Sequence, residues 1–285
     1  MDQLNINILE RIHASYYQLT AAERRVADYV LSQYAQVQFM SITQLAEECG
    51  SADATVSRFC RSLGLKGFNA FKIELAKYSA GIQNTAPQEA PISTNTPEGR
   101  YQEAARLSQT AITQTLSLLR QADIDRTVDL FEKASRVICM GAGGSMLLAN
   151  ECSHLFSTAC GKFFAIWDSH MQMNFAATMN KTDVLMLFSY SGATCSGLEV
   201  LELAKSRGIQ TILVTRYPKS PAASLADVVL CCGSSESPFQ LGSVPAKVAQ
   251  LVLMDVLYQE YVHRNQAECA DNLQRIAAAL SEKHI

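Results

Sequence analysis

The chain has 285 residues, 48 % of them hydrophobic, and a formal net charge of −3. That length holds two ordinary domains, the apolar share excludes global disorder, and no apolar run reaches the roughly 20 residues a membrane span needs. The start, Met1-Asp2-Gln3-Leu4-Asn5, lacks the basic-then-apolar profile of a secretion signal, so a cytoplasmic protein without membrane contact is expected.

Residues 1–80 read as all-helical. Thr20-Ala21-Ala22-Glu23 is a capping box, in which hydroxyl and carboxylate each satisfy an orphan amide, and Val26, Tyr29 and Val30 follow on one face. Ser41-Ile42-Thr43-Gln44 is a second box. Ile42, Leu45, Ala46 and Cys49 then fall at helical spacing and Gly50 stops the helix. Val56, Phe59, Cys60 and Leu63 repeat the spacing up to Gly64. Two short helices, about 42–49 and 53–63, joined by a tight glycine-containing turn describe a helix-turn-helix. Residues 54–73 hold Arg58, Arg61, Lys66 and Lys72 and no acid, a local +4 that leaves −7 on the rest. The second helix would therefore face DNA with Ala54, Ser57 and Arg58 toward base edges, and with Thr55, Arg61, Lys66 and Lys72 toward phosphates. A plain amphipathic helix pair is the alternative.

Gly81, Pro87, Pro91 and Pro97 among Ser, Thr, Asn and Gln mark residues 81–97 as a linker. Helical character resumes at about 98–120 and 123–134. From 136 the pattern changes to short apolar runs separated by helical segments: Val137–Met140, Lys162–Ile166, Val184–Phe188, Thr211–Val214 and Val228–Cys231. Near-continuous apolar strands alternating with helices predict a doubly wound α/β domain with a five-stranded parallel sheet, closed by a last helix at roughly Lys247–His263.

Two loops of this domain carry chemistry. Gly141-Ala142-Gly143-Gly144-Ser145 leaves the first strand and opens a helix, where backbone amides favour an anion. It is neither a dinucleotide fingerprint, since Met146 occupies the third glycine position, nor a P-loop, since Gly-Lys-Ser/Thr is missing. Ser189-Tyr190-Ser191-Gly192-Ala193-Thr194 leaves the third strand with three seryl and threonyl hydroxyls, a glycine and no Lys or Arg, which suits a phosphate monoester held by neutral donors. A serine-rich turn that merely caps a helix is the alternative. Together the loops would form one crevice at the carboxyl ends of neighbouring strands. The nine cysteines have no C-x-x-C spacing and the five histidines are scattered, so no metal, disulfide framework or cofactor is expected.

These motifs resemble the RpiR/MurR family of bacterial regulators, which join a helix-turn-helix to a sugar isomerase (SIS) domain. The N-terminal resemblance lies in Leu19-Thr20-Ala21-Ala22-Glu23-Arg24-Arg25-Val26-Ala27, Thr55-Val56-Ser57-Arg58-Phe59-Cys60-Arg61-Ser62-Leu63-Gly64, Lys66-Gly67-Phe68 and Phe71-Lys72. The SIS resemblance lies in Gly141-x-Gly143-x-Ser145, Asp168-x-His170, Phe188-Ser189-Tyr190-Ser191-Gly192-x-Thr194, Ala249-Gln250-Leu251 and Asp255-Val256-Leu257. It implies a helix-turn-helix domain at 1–80, the linker at 81–97 and a SIS domain at 98–285 with its core at about 128–262. It also implies a non-enzymatic regulator of carbohydrate genes, by default a repressor. As a homodimer or tetramer it would read a palindromic operator in double-stranded DNA. The implied effector is a phosphorylated sugar: Ser189, Ser191, Gly192 and Thr194 would hold its phosphate, with Gly143 and Ser145 on sugar or phosphate. His170 and Glu236 are further pocket candidates, each with a purely structural role as its alternative.

Ala52, Ala246 and Lys247 depart from the family pattern, and Gly144 departs from that of SIS isomerases. Ala52 stands where a serine caps the second helix, so Ser51 or Asp53 is expected to cap it. Ala246-Lys247 replaces Ser-Arg ahead of Ala249. Gly144 stands where SIS isomerases carry a lysine, which weighs against the alternative of a sugar-phosphate isomerase; a SIS regulator acting by protein contact alone is a third possibility, opposed by the helix-turn-helix.

Overall fold

The computed structural model describes residues 7–83, 96–233 and 243–281. It divides into two compact units, the first ending at Ala104 and the second beginning at Ala105. Glu236 and the central part of the expected linker, 84–95, lie outside the described residues.

The first unit is helical: α1 (Ile8–Ser15), α2 (Ala21–Val37), α3 (Ile42–Glu48), α4 (Asp53–Ser62) and α5 (Phe68–Gln83). Both capping boxes form, Thr20 with Glu23 at the head of α2 and Ser41 with Gln44 at the head of α3. The apolar stripes read from the sequence meet in one core, where Val26, Val30, Leu45, Val56, Phe59, Phe71 and Leu75 are fully enclosed and the Phe59 and Phe71 rings meet edge to face at 5.5 Å. Gly50 has φ +57, and there the Gly50 amide donates to Glu47 O while the Ser51 amide reaches back to Ala46 O. This left-handed stop lets the chain leave α3 and start α4 within four residues.

The second unit contains α6 (Pro97–Leu118) from Ala105 onward, then α7 (Gln121–Lys133), β1 (Val137–Gly141), α8 (Gly144–Ser157), β2 (Phe163–Ala165), α9 (Ser169–Thr178), β3 (Val184–Phe188), α10 (Cys195–Ser206), β4 (Gln210–Thr215), β5 (Val228–Cys231), α11 (Val244–Arg264) and α12 (Gln266–Ser281). The five strands are all parallel, in the order β2-β1-β3-β4-β5. Val137, Cys139, Met186, Phe188, Ile212 and Val214 pack with α7, α8 and α11 on one face. Ile138, Met140, Leu185, Leu187 and Leu213 pack with α9 and α10 on the other. Covering both faces is what makes the strands read as unbroken apolar runs.

All five strands stand where the sequence places them, within a residue or so at each end. The linker does differ in its described flanks: α5 continues to Gln83 and α6 begins at Pro97, a position proline tolerates in the first helical turn. The sequence reading also stops one helix short. α11 ends at Arg264, with Asn265 as its C-cap, and α12 follows at once, anchored by buried Cys269 and by the Asn272 side-chain amide on Ala159 O at 2.8 Å. No described helix is long and apolar enough to cross a membrane.

Candidate functional site

In the helix-turn-helix, α4 buries Val56, Phe59 and Cys60 completely and turns Ala54, Arg58 and Arg61 outward, with Ser57 half-buried on the same side. Lys66 is exposed just beyond the helix. The other two expected phosphate contacts are drawn inward. Thr55 is only 6 % exposed and its hydroxyl accepts from the Arg58 guanidinium at 3.3 Å. Lys72 is half-buried, its ammonium 3.3 Å from Met40 O and over the Phe68 ring at 5.5 Å.

The turn ahead of α4 is braced from several sides. Arg25 of α2 donates to Cys49 O and Gly50 O, both at 3.3 Å, and the Thr43 hydroxyl donates to the Asp53 carboxylate at 2.9 Å. Neither expected substitute caps α4. Ala52 is the N-cap residue, with φ −102 and ψ 155 and no side-chain bond; Asp53 is spent on Thr43, and the Ser51 hydroxyl is buried without a partner among the described residues. Glu23 has a second role that local sequence did not signal. Besides the Thr20 cap it accepts from the Ser62 hydroxyl at 3.2 Å, tying α2 to the end of α4. Burial pushes the Glu23 carboxyl up, but the Thr20 hydroxyl and amide, the Ser62 hydroxyl and the Arg58 charge outweigh it and hold the group below the usual range.

In the second unit, register brings the two loops side by side: Gly141 at the end of β1 pairs with Phe188 at the end of β3. The glycine loop turns at Gly143, the N-cap of α8, and Ser145 lies half-buried in the first turn of that helix. In the hydroxyl loop Ser189 is 5 % exposed, and its Oγ lies 3.0 Å from Thr194 Oγ1. Thr194 is the N-cap residue of α10 but makes no side-chain cap bond, so its hydroxyl is given to Ser189. Ser191 is exposed and accepts from the Ala193 amide at 3.3 Å. Gly192 has φ +59, and a Cβ there would lie 2.0 Å from Ser220 Oγ. The amides at the head of α10 face a region where the helix dipole favours negative charge.

The structure adds residues that local sequence did not signal. Tyr190 O accepts from the Arg216 amide at 3.0 Å and from the Thr215 hydroxyl at 3.1 Å, and Gly192 O accepts from the Ala222 amide at 2.9 Å. The loop after β3 is thus sewn to the segment after β4. Gln172, 4 % exposed, donates to Gly141 O at 2.9 Å and to Ile166 O at 2.8 Å, fixing the glycine loop against the start of α9. Asp168 caps α9, accepting from the Met171 amide at 2.9 Å. His170 is exposed in the first turn of α9, and no hydrogen bond joins it to either loop among the described residues. Lys247 is half-buried in the first turn of α11, whose N-cap, Ser243, accepts from the Ala246 amide. No group of three potential metal ligands gathers among the described residues.

Comparison with known proteins matches both units. A family model described as the helix-turn-helix domain of the rpiR family matches residues 6–81, and a SIS-domain model matches residues 130–259. The helix-turn-helix transcriptional regulator YbbH of Bacillus subtilis is 30 % identical over 255 residues, covering 87 % of each chain. A regulator of the same type from Caldanaerobacter subterraneus is 29 % identical over 279 residues, covering 98 % of this chain and 99 % of the other. Among solved structures, Vibrio vulnificus NanR in complex with ManNAc-6P superposes with a TM-score of 0.85 at 26 % identity, covering 98 % of this chain and all of that one.

Proposed function

Because this chain belongs to the rpiR family of helix-turn-helix regulators that carry a SIS domain, we propose that it binds double-stranded operator DNA through α4 and is switched by a phosphorylated sugar in the SIS crevice. The observation that carries the reading is the hydroxyl loop itself: Ser189 and Thr194 paired at 3.0 Å, Ser191 open, and the head of α10 directly behind, next to the glycine loop of β1. A phosphate entering there exchanges the Ser189–Thr194 bond for two bonds to its own oxygens, with α10 amides and Ser191 supplying the rest. Ser145 and the amides near Gly143 then meet the sugar or its phosphate, and His170 and Glu236 remain candidates for the pocket wall. NanR, whose structure holds ManNAc-6P, supports a phosphosugar as the ligand class.

The protein acts as a binding module. Aldose–ketose isomerisation needs a base beside two adjacent carbons, whereas residues 141–145 and 189–194 supply glycines, amides and hydroxyls. On the DNA side, Ala54, Ser57 and Arg58 read base edges while Arg61 and Lys66 hold phosphates; Thr55 and Lys72 reach DNA only by giving up their present bonds. The regulator works as a homodimer or tetramer on a palindromic site in the cytoplasm, repressing carbohydrate genes until the effector binds.

A thermal-shift screen of hexose, pentose and amino-sugar phosphates tests the effector. One phosphosugar should raise the unfolding temperature in a concentration-dependent way while its dephosphorylated form does not. A flat response across the panel would remove the phosphosugar from the account.

A further inference from the structure

The hydroxyl loop contains no cation, yet a phosphate monoester carries between one and two negative charges near neutral pH, with a second pKa of about 6. Arg216 is the cationic residue whose main chain is bonded to that loop among the described residues: its amide donates to Tyr190 O at 3.0 Å, directly after Thr215, whose hydroxyl bonds the same oxygen. β4 neighbours β3 in the sheet, so Arg216 stands one strand spacing, ~4.8 Å, from the strand that bears the loop. It sits at the carboxyl end of its strand, the edge at which open parallel sheets bind ligands. The side chain is half-exposed, and its guanidinium makes no hydrogen bond or ion pair among the described residues. Three other described arginines of this unit are engaged by carboxylates: Arg120 with Asp123, Arg136 with Asp183, Arg264 with Asp125, Asp129 and Glu260.

We propose that Arg216 is the charged contact of the effector phosphate, its guanidinium closing on a phosphate dianion that the neutral Ser189–Thr194 loop holds from the other side. This rests on reading that loop as a phosphosugar site. It also gives the loop a selectivity that its hydroxyls lack: the site prefers a dianionic phosphate monoester to a monoanionic or neutral group. Among the described residues, Arg216 interacts electrostatically with Cys231 of β5, which also feels Arg120 and Asp123 at the head of α7. Burial pushes the Cys231 thiol up, against the pull of Arg216, so it stays neutral through the acid and neutral range.

The test is calorimetric titration of the full chain with ManNAc-6P, glucose 6-phosphate and inorganic phosphate at pH 7.5 and pH 5, for wild type, Arg216→Gln and Arg216→Lys. Unfolding midpoints without ligand establish that each variant is folded. At pH 7.5 Arg216→Gln should bind the tightest wild-type probe roughly 10- to 100-fold more weakly, the range of a hydrogen bond to a charged group. At pH 5, where the phosphate is a monoanion, the gap should narrow. Arg216→Lys should recover part of the loss, since it keeps the charge without the planar fork, and it carries the comparison if the glutamine variant does not fold. Wild-type affinity in Arg216→Gln, or an equal loss at both pH values, overturns the proposal and leaves the phosphosugar reading standing. If wild type binds none of the three probes and no phosphosugar of the thermal-shift panel, that reading falls and this one with it.

Discussion

Gly192 is the residue on which the hydroxyl loop turns. Its φ of +59 is open to few side chains, and the space a Cβ would take is filled by Ser220, itself 2 % exposed and unable to swing into solvent. Gly192→Ala should therefore lower the unfolding free energy by about 1–3 kcal/mol and abolish stabilisation by the effector. Unchanged melting with an unchanged ligand response would show that the loop does not depend on this turn. Asp183, 1 % exposed, meets the Arg136 guanidinium at 2.6 Å and the Asn180 backbone amide at 2.8 Å. Arg136 first, and then Asn180, hold the carboxyl below its usual range despite burial. Its folded pKa is depressed, so its contribution is complete above roughly pH 4 and is lost as the pH falls through the lower folded value. Asp183→Asn should cost about 1–3 kcal/mol at pH 7, since the Arg136 left behind is partly solvated, with a difference from wild type that shrinks on acidification; a difference that is constant with pH would contradict this.

At the scale of elements, α4 starts without a side-chain cap, because Ala52 occupies the N-cap position in extended geometry. Ala52→Ser places a hydroxyl where it can accept an amide of the first turn and should stabilise the helix-turn-helix by about 0.5–1 kcal/mol in chemical denaturation, without altering operator specificity. A neutral or destabilising effect would mean that the Thr43–Asp53 bond already serves that end. This element also shows what was legible in the sequence and what was not. Capping boxes, glycine stops and apolar periodicity are local, and they placed α2, α3, α4 and the five strands. The orientation of Thr55 and Lys72 was not local. Arg58 and the Phe68 ring stand at helical spacing from Thr55 and Lys72, but the burial of Thr55 and the reach of Lys72 to Met40 O are set by packing rather than spacing. The hydroxyl loop was legible as Ser189–Thr194, yet Arg216, Ser220 and Ala222 were not, because β4 and the segment after it come beside the loop only through sheet order. α12 escaped because its run of alanines and polar residues carries a thin apolar stripe, and most of the helix is exposed.

At the scale of the whole molecule, if DNA contact belongs to the first unit and signal binding to the second, each should fail alone. Arg58→Ala should weaken specific operator binding by about 1–3 kcal/mol while leaving phosphosugar stabilisation intact. Retained specificity would remove α4 from the reading role. The converse variant, Ser189→Ala with Ser191→Ala, strips hydroxyls from the loop and leaves α4 untouched. The most direct measurement is fluorescence anisotropy of labelled DNA from upstream of the gene, titrated with wild type and with this double variant, in the presence and absence of the stabilising phosphosugar. Both proteins should bind the DNA equally without effector, and only wild type should change affinity when the phosphosugar is added. An equal response from the double variant would place the signal outside the Ser189–Thr194 loop and contradict the central claim.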